Sequence, residues 1–311
     1  MVVYASFFNG TTTLETALHM PATDIIKKFD NFVNKADLYA VQEEARDYMK
    51  PAVSAIEAIY NRYKTEPEQH PGYIEDSSSL LSRLSVPYQS NKFDLRTLYD
   101  IVAWILSVVG PVPSIATRDN YYYPLMMIGY VFCAKLIPAR KVTKKLNPGP
   151  PEVWSVMWFE QIINKLPVKR VVVGANLDKP GKSTKDDAKE FRKALLDASN
   201  ILDWSQKHSV MQLRRGLTSQ DFGHCAETYP LLFICSLGHA GQEATTIQRS
   251  VEGLAAKAPL LYTKTTAKIA LYEEAKGVKH ALMNPCLNCE WLLGYGEGFQ
   301  ISHFILKERE Y

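Results

Sequence analysis

Apolar residues recur at helical spacing through the first half of the chain. Over 24–35 and 37–64 they fall three and four apart (Leu38, Val41, Ala45, Met49, Val53 and Ile56 among them), which predicts two helices, the second kinked at Pro51. A polar loop over 66–79 follows, and further apolar helices are predicted at 80–84, 94–109 and 125–136. The Pro-rich stretch 147–151 closes this region.

Beyond it the pattern changes. Residues 157–165 read as a helix, and Val171, Val172 and Val173 in a row give the strongest strand signal in the chain. A charged amphipathic helix is predicted over 183–206, capped by Ser183 or Thr184 ahead of Asp186 and Asp187. An apolar helix over 225–237, a long helical stretch over 242–276, a strand over 278–283 and a short helix over 286–293 follow. A glycine loop (Gly294, Gly296, Gly298) leads to a last strand over 299–306. Helices alone, then strands alternating with helices, predict an α/β sheet domain over 151–311 preceded by an all-helical N-terminal domain over 1–150.

With 46% hydrophobic and 22% charged residues over 311 positions, the chain has enough apolar side chain for a full core. The start M-V-V-Y-A-S-F-F-N-G lacks the basic n-region of a signal peptide. The most apolar windows, 99–113 and 121–138, are broken by Pro, Gly and Lys, so no membrane span is expected. The five cysteines are odd in number and fall late in the chain, unlike a disulfide scaffold, and this predicts a reducing, intracellular setting, cytoplasmic or nuclear. From Pro167 onward Lys and Arg outnumber Asp and Glu, which permits a phosphate-bearing partner without demanding one.

Candidate chemistry gathers at two short motifs, H-C-A-E (His224 to Glu227) and N-P-C-L-N-C (Asn284 to Cys289). Cys286 and Cys289 at the start of a predicted helix both project from its first turn, where unpaired N–H groups favour thiolate. Cys225 and Glu227, at the start of another, can share a target beyond that helix end. Cys225, Cys286 and Cys289 would give Zn²⁺ three sulfur ligands with a fourth position open to water, the pattern of a catalytic rather than structural zinc, and Glu227 would stand beside that water as acid/base. Such an arrangement suits attack on an amidine-like ring carbon with loss of ammonia. A dithiol redox site at Cys286 and Cys289 is the rival reading, and it leaves Cys225 and Glu227 without a role.

The paired motifs resemble the zinc-dependent cytidine deaminase-like superfamily, whose signature is His or Cys, any residue, Glu, then P-C-x-x-C. The resemblance spans at most 169–311. It implies a three-layer α/β/α sheet domain, Zn²⁺ held by Cys225, Cys286 and Cys289, and Glu227 as the proton shuttle. Cysteine in first place is similar to the free cytidine and blasticidin deaminases, and the extra helical region is similar to divergent fungal and toxin-type branches. The family's usual two-strand hairpin directly before the first motif is here expected to be displaced by the helix over 183–206, and the stretch between the motifs to hold a helical insertion over 242–276. The implied reaction converts a cytosine-type base to uracil, in single- or double-stranded nucleic acid or as a free nucleoside. An interaction protein that kept the fold without turnover is the alternative. Tyr229 and Trp291 flank the motifs as candidate base-stacking residues or core aromatics, and His224 as a substrate contact or a polar loop residue.

Overall fold

The computed structural model describes residues 6–65, 84–88, 91–138, 140–142, 145–147, 151, 153–163, 165–177, 192, 225–236, 251–257, 262–263, 268–269, 282–283 and 303–304. Near the N-terminus Thr13 caps a short helix, α1 (Leu14–His19), through a reciprocal box with Thr16. Helix α2 (Ala22–Asn34) buries Ile25, Phe29 and Phe32, at the spacing that predicted it. The helix expected from 37 starts later, as α3 (Arg46–Thr65), after a 3-10 turn at Glu43–Ala45. Tertiary pairing takes the intervening residues: Val41 bridges Val109, the Gln42 N–H donates to Val108 O, and Ala40 adopts φ +46°. Pro51 lies inside α3 as expected.

A hairpin, β1 (Leu84–Tyr88) against β2 (Asn91–Leu95), takes the first two residues of the helix expected over 94–109 and the last of that expected over 80–84, whose other residues lie outside the described ones. Leu84 and Val86 are buried two apart, the strand period, so the N-terminal part is not all helical. Thr97 then accepts from the Asp100 N–H and starts α4 (Leu98–Val108). Every residue of α4 is buried, and α5 (Tyr123–Leu136) is buried almost all round, as befits helices apolar on all sides. No helix among the described residues is long and apolar enough to cross a membrane.

Of the residues expected as a helix at 157–165, 157–163 belong to a long strand. After two short strands that pair with each other, β3 (Arg140–Val142) and β4 (Lys145–Asn147), strands β5 (Val153–Ile163) and β6 (Leu166–Ala175) pair antiparallel from Trp154↔Ala175 to Ile163↔Leu166. The apolar run W-S-V-M-W-F has no clear period, so pairing on both sides of β5 decides its state. Its second neighbour is β7 (Glu252–Lys257), antiparallel from Val153↔Lys257 to Trp158↔Glu252, and this strand overturns the helix expected over 242–276. Strands β8 (Tyr262–Thr263) and β9 (Lys268–Ile269) form a further short hairpin within that stretch. On the far edge of β7, β10 (Leu282–Met283) pairs antiparallel and β11 (His303–Phe304) parallel; both fall within expected strands.

The fold is therefore mixed α/β, with helices packed against a mainly antiparallel sheet. Alternate residues of β5 and β6 face opposite layers. A Cβ placed on Gly129 of α5 would fall 2.6 Å from Trp154 Cζ3, so α5 lies directly on the Trp154 side. Trp158, on that same side, stacks on Tyr122 at 4.2 Å and donates its indole N–H to Glu252. The opposite side, at Gly174, carries α6 (Thr228–Ser236). Helix α4 borders β6, where Ser107 Oγ accepts the Val173 N–H at 2.9 Å and so satisfies an edge group that would otherwise be open to pairing. One hydrophobic cluster takes in residues on both sides of 147–151.

Candidate functional site

The helix expected from 225 begins at Thr228, and C-A-E forms the turn that leads into it. Glu227 O accepts the first α-helical bond, from Leu231 N at 2.9 Å, and Cys225 O accepts from Thr228 N at 3.2 Å. Pro230 falls at the third residue of α6, where its missing N–H deprives the helix of nothing. The turn is pressed onto the sheet. A Cβ on Gly174 would lie 2.1 Å from Ala226 O and 2.7 Å from Pro230 Cδ, so the backbone of β6 is bare where the motif sits on it. Cys225 is half-buried, and Glu227, only 4% exposed, is a carboxylate carried into the interior at the helix start.

Beneath the turn lies a buried charge cluster. Arg192, 1% exposed, is ion-paired with Asp100 of α4, donates to Ala175 O at the end of β6 (3.1 Å) and to Cys225 O (3.4 Å). Its guanidinium also lies 4.8 Å from the centre of the Tyr229 ring. The Tyr229 hydroxyl donates to Asp94 O at 2.7 Å, which ties α6 back to β2. Burial pushes the Asp100 carboxyl above its usual range, while the Arg192 guanidinium and the Thr97 hydroxyl pull it back down. Burial likewise drives the Tyr229 hydroxyl and the Cys133 thiol well above their usual ranges, with the Asp100 charge adding to both.

Of the residues singled out from the sequence, Cys225 and Glu227 are brought together in one turn, and Tyr229, the second residue of α6, has its ring against Arg192. His224, Cys286, Cys289 and Trp291 lie outside the described residues, as do all of the helix expected over 183–206 except Arg192 and all of that expected over 286–293. Among the described residues no three His, Cys, Asp or Glu side chains cluster for a metal, two of the three expected sulfurs lying beyond them. Of the expected zinc ligands the described residues hold one, the half-buried Cys225, and Glu227, the expected acid/base, is the buried carboxyl residue two places on.

Three residues of this neighbourhood escaped the reading of the sequence. Gly174 carried a signal, since a glycine inside V-V-V-G-A marks close backbone approach. Asp100 carried one too, as the lone charge in L-Y-D-I-V-A-W-I-L. Arg192 carried none that sets it apart from Lys189 and Lys193 beside it. Comparison of the chain with known protein families, characterised proteins and solved structures finds no match.

Proposed function

We propose that this chain is a zinc-dependent hydrolytic deaminase that converts a cytosine-type base to uracil, acting on DNA or RNA in preference to a free nucleoside. The observation that carries the reading is the C-A-E turn seated on bare backbone at Gly174, with Glu227 buried beside Cys225. A two-strand hairpin, β5–β6, precedes the motif helix in the chain, but the stretch 176–224 separates the two where the resembled family has the hairpin directly before the motif. Helices against both sides of the hairpin fit the three-layer α/β/α arrangement.

The strand that precedes the second motif in the sequence, β10, belongs to the same sheet as β6, on which the first motif sits. Gly174, Ser155, Ala255 and Met283 pair in one row across β6, β5, β7 and β10. Three strand spacings of about 4.8 Å put Met283 about 14 Å from Gly174, and Cys286 follows Met283 by three residues in the sequence. Cys225, Cys286 and Cys289 would hold the zinc. When bound, it supplies the Lewis acidity that lowers the pKa of water toward neutrality. Glu227 would carry one proton of the attacking water to the ring nitrogen, where it stays, and then carry the second, from the hydroxyl left on the ring carbon, to the departing amino group. The C–N bond breaks, a carbonyl forms, and ammonia leaves. Burial of Glu227 keeps bulk water from competing for that proton.

The preference for a polynucleotide rests on the Lys and Arg excess beyond Pro167, and it implies binding that weakens steeply with salt. The test is metal analysis followed by ammonia release from cytidine, deoxycytidine and cytosine-containing single and double strands. Glu227→Gln keeps shape and burial but cannot shuttle the proton, so it should reduce turnover at least about 100-fold with zinc content and melting temperature unchanged. Zinc-loaded wild type that releases no ammonia from any of these substrates refutes the proposal.

A further inference from the structure

We infer that Arg192, held by Asp100, is a positioning residue that fixes the backbone of Cys225 for metal binding; the inference rests on the reading of Cys225 as a zinc ligand. The Cys225 carbonyl accepts two donors, the Thr228 N–H from the helix side and the Arg192 guanidinium from the sheet side. Two donors from different directions fix the plane of the peptide that follows Cys225. With that plane fixed, the Cα–C bond of Cys225 is fixed too, and the path of the sulfur depends on two torsions, ψ and χ1.

The other contacts of Arg192 hold it in place. Its guanidinium is tied to Asp100 on α4 and to Ala175 O at the end of β6, and is packed against the Tyr229 ring. These are separate pieces of the chain, and the guanidinium is where they meet. A buried ion pair is poor value for stability alone, because apolar residues of similar size often serve as well or better. Its use lies in the directed donors that an apolar pair lacks. A rigid planar fork can serve several acceptors in fixed directions, and a lysine ammonium on a flexible stem cannot reproduce that set.

Outer partners of metal ligands typically contribute about 10- to 100-fold in metal affinity. The test uses the full chain in three forms: wild type, Arg192→Lys, and the double variant Asp100→Leu with Arg192→Met, which replaces both charges by apolar groups and so avoids leaving one unpaired. The readouts are the melting temperature of the metal-free protein, the zinc dissociation constant by chelator competition, and the visible absorption of the Co²⁺-loaded protein. The double variant should melt within a few degrees of wild type, bind zinc about 10- to 100-fold more weakly and show a shifted Co²⁺ spectrum, with Arg192→Lys between the two. Wild type that binds zinc while the double variant binds it equally well, with the same Co²⁺ spectrum, overturns the inference alone. Wild type that takes up no zinc overturns the inference together with the deaminase reading. Should the double variant not fold, Arg192→Lys decides, because it keeps the charge: unchanged zinc affinity and spectrum there also overturn the inference.

Discussion

Replacing Gly174 by alanine tests whether the C-A-E turn really rests on β6. In isolation the change should help, since glycine within a strand is worse than alanine by about 0.5–1 kcal/mol. The structure reverses that sign. The new methyl group would lie 2.1 Å from Ala226 O and under 3.0 Å from two carbons of Pro230, where ordinary contact begins at 3.4 Å. Relief requires the turn to move by about 1.3 Å, the difference between those two distances. Its closest contact is a backbone carbonyl and not the end of a flexible side chain, so the strain falls near the top of the usual overpacking range, about 3 kcal/mol. Offsetting the intrinsic gain leaves a net loss of about 2 kcal/mol. With an unfolding entropy of about 2.1 cal/mol/K per residue, that lowers the melting temperature by about 3 °C. A displacement of about 1 Å at reacting groups can reduce turnover about 100-fold, so activity should fall by far more than stability. Thermal melts followed by circular dichroism, with ammonia release on the same samples, read both quantities. A Gly174→Ala protein that melts at or above the wild-type temperature and turns over normally would show that the motif does not sit on this strand.

Two further outcomes follow from the same neighbourhood. Ser107→Ala removes the acceptor for the Val173 N–H at the border of β6. Leaving that group buried without a partner should reduce stability by about 1–3 kcal/mol, measured by urea unfolding, with zinc content unchanged. Cys133 is fully buried and its thiol is pushed up by burial and by Asp100. Since the thiolate is the reactive species, iodoacetamide at pH 8 should leave Cys133 unmodified in the native protein and label it on unfolding, as peptide mapping would show.

How far the fold can be read from the residues depends on where each element finds its decisive partner. Helices α2 and α5 were legible because their burial is set by their own spacing or their own apolar length. Strand β6 was legible because three consecutive valines favour a strand whatever pairs with it. Strands β5 and β7 were not. V-M-W-F and E-G-L-A-A-K suit either state locally, and they become strands through each other, across about a hundred residues of chain. The same cause moved the start of α3, since Val41 is bridged to Val109 and does not join the helix. At the candidate site, Cys225 and Glu227 were legible as a motif. The surface that receives them was only half so, because Gly174 and Asp100 break their local patterns while Arg192 breaks none.

That asymmetry bears on what the first 150 residues do. A tethered module that merely presents substrate would leave the sheet and the motif turn complete without it. Here α4 contributes Ser107 to the border of β6 and Asp100 to Arg192, and the β2 residue Asp94 offers its carbonyl to the Tyr229 hydroxyl. Each of these groups is polar, and Ser107 and Asp100 are buried, so losing its partner would strand the group opposite in an apolar setting. The chain thus places a carboxylate in an otherwise apolar helix at the point where it can hold the arginine that reaches the C-A-E turn. A purely apolar α4 would cover β6 equally well but could supply no anion there, and Arg192 would then be an uncompensated charge directly behind Cys225. The N-terminal helices are therefore part of the machinery that seats the motif, and their polar exceptions mark where they act on it.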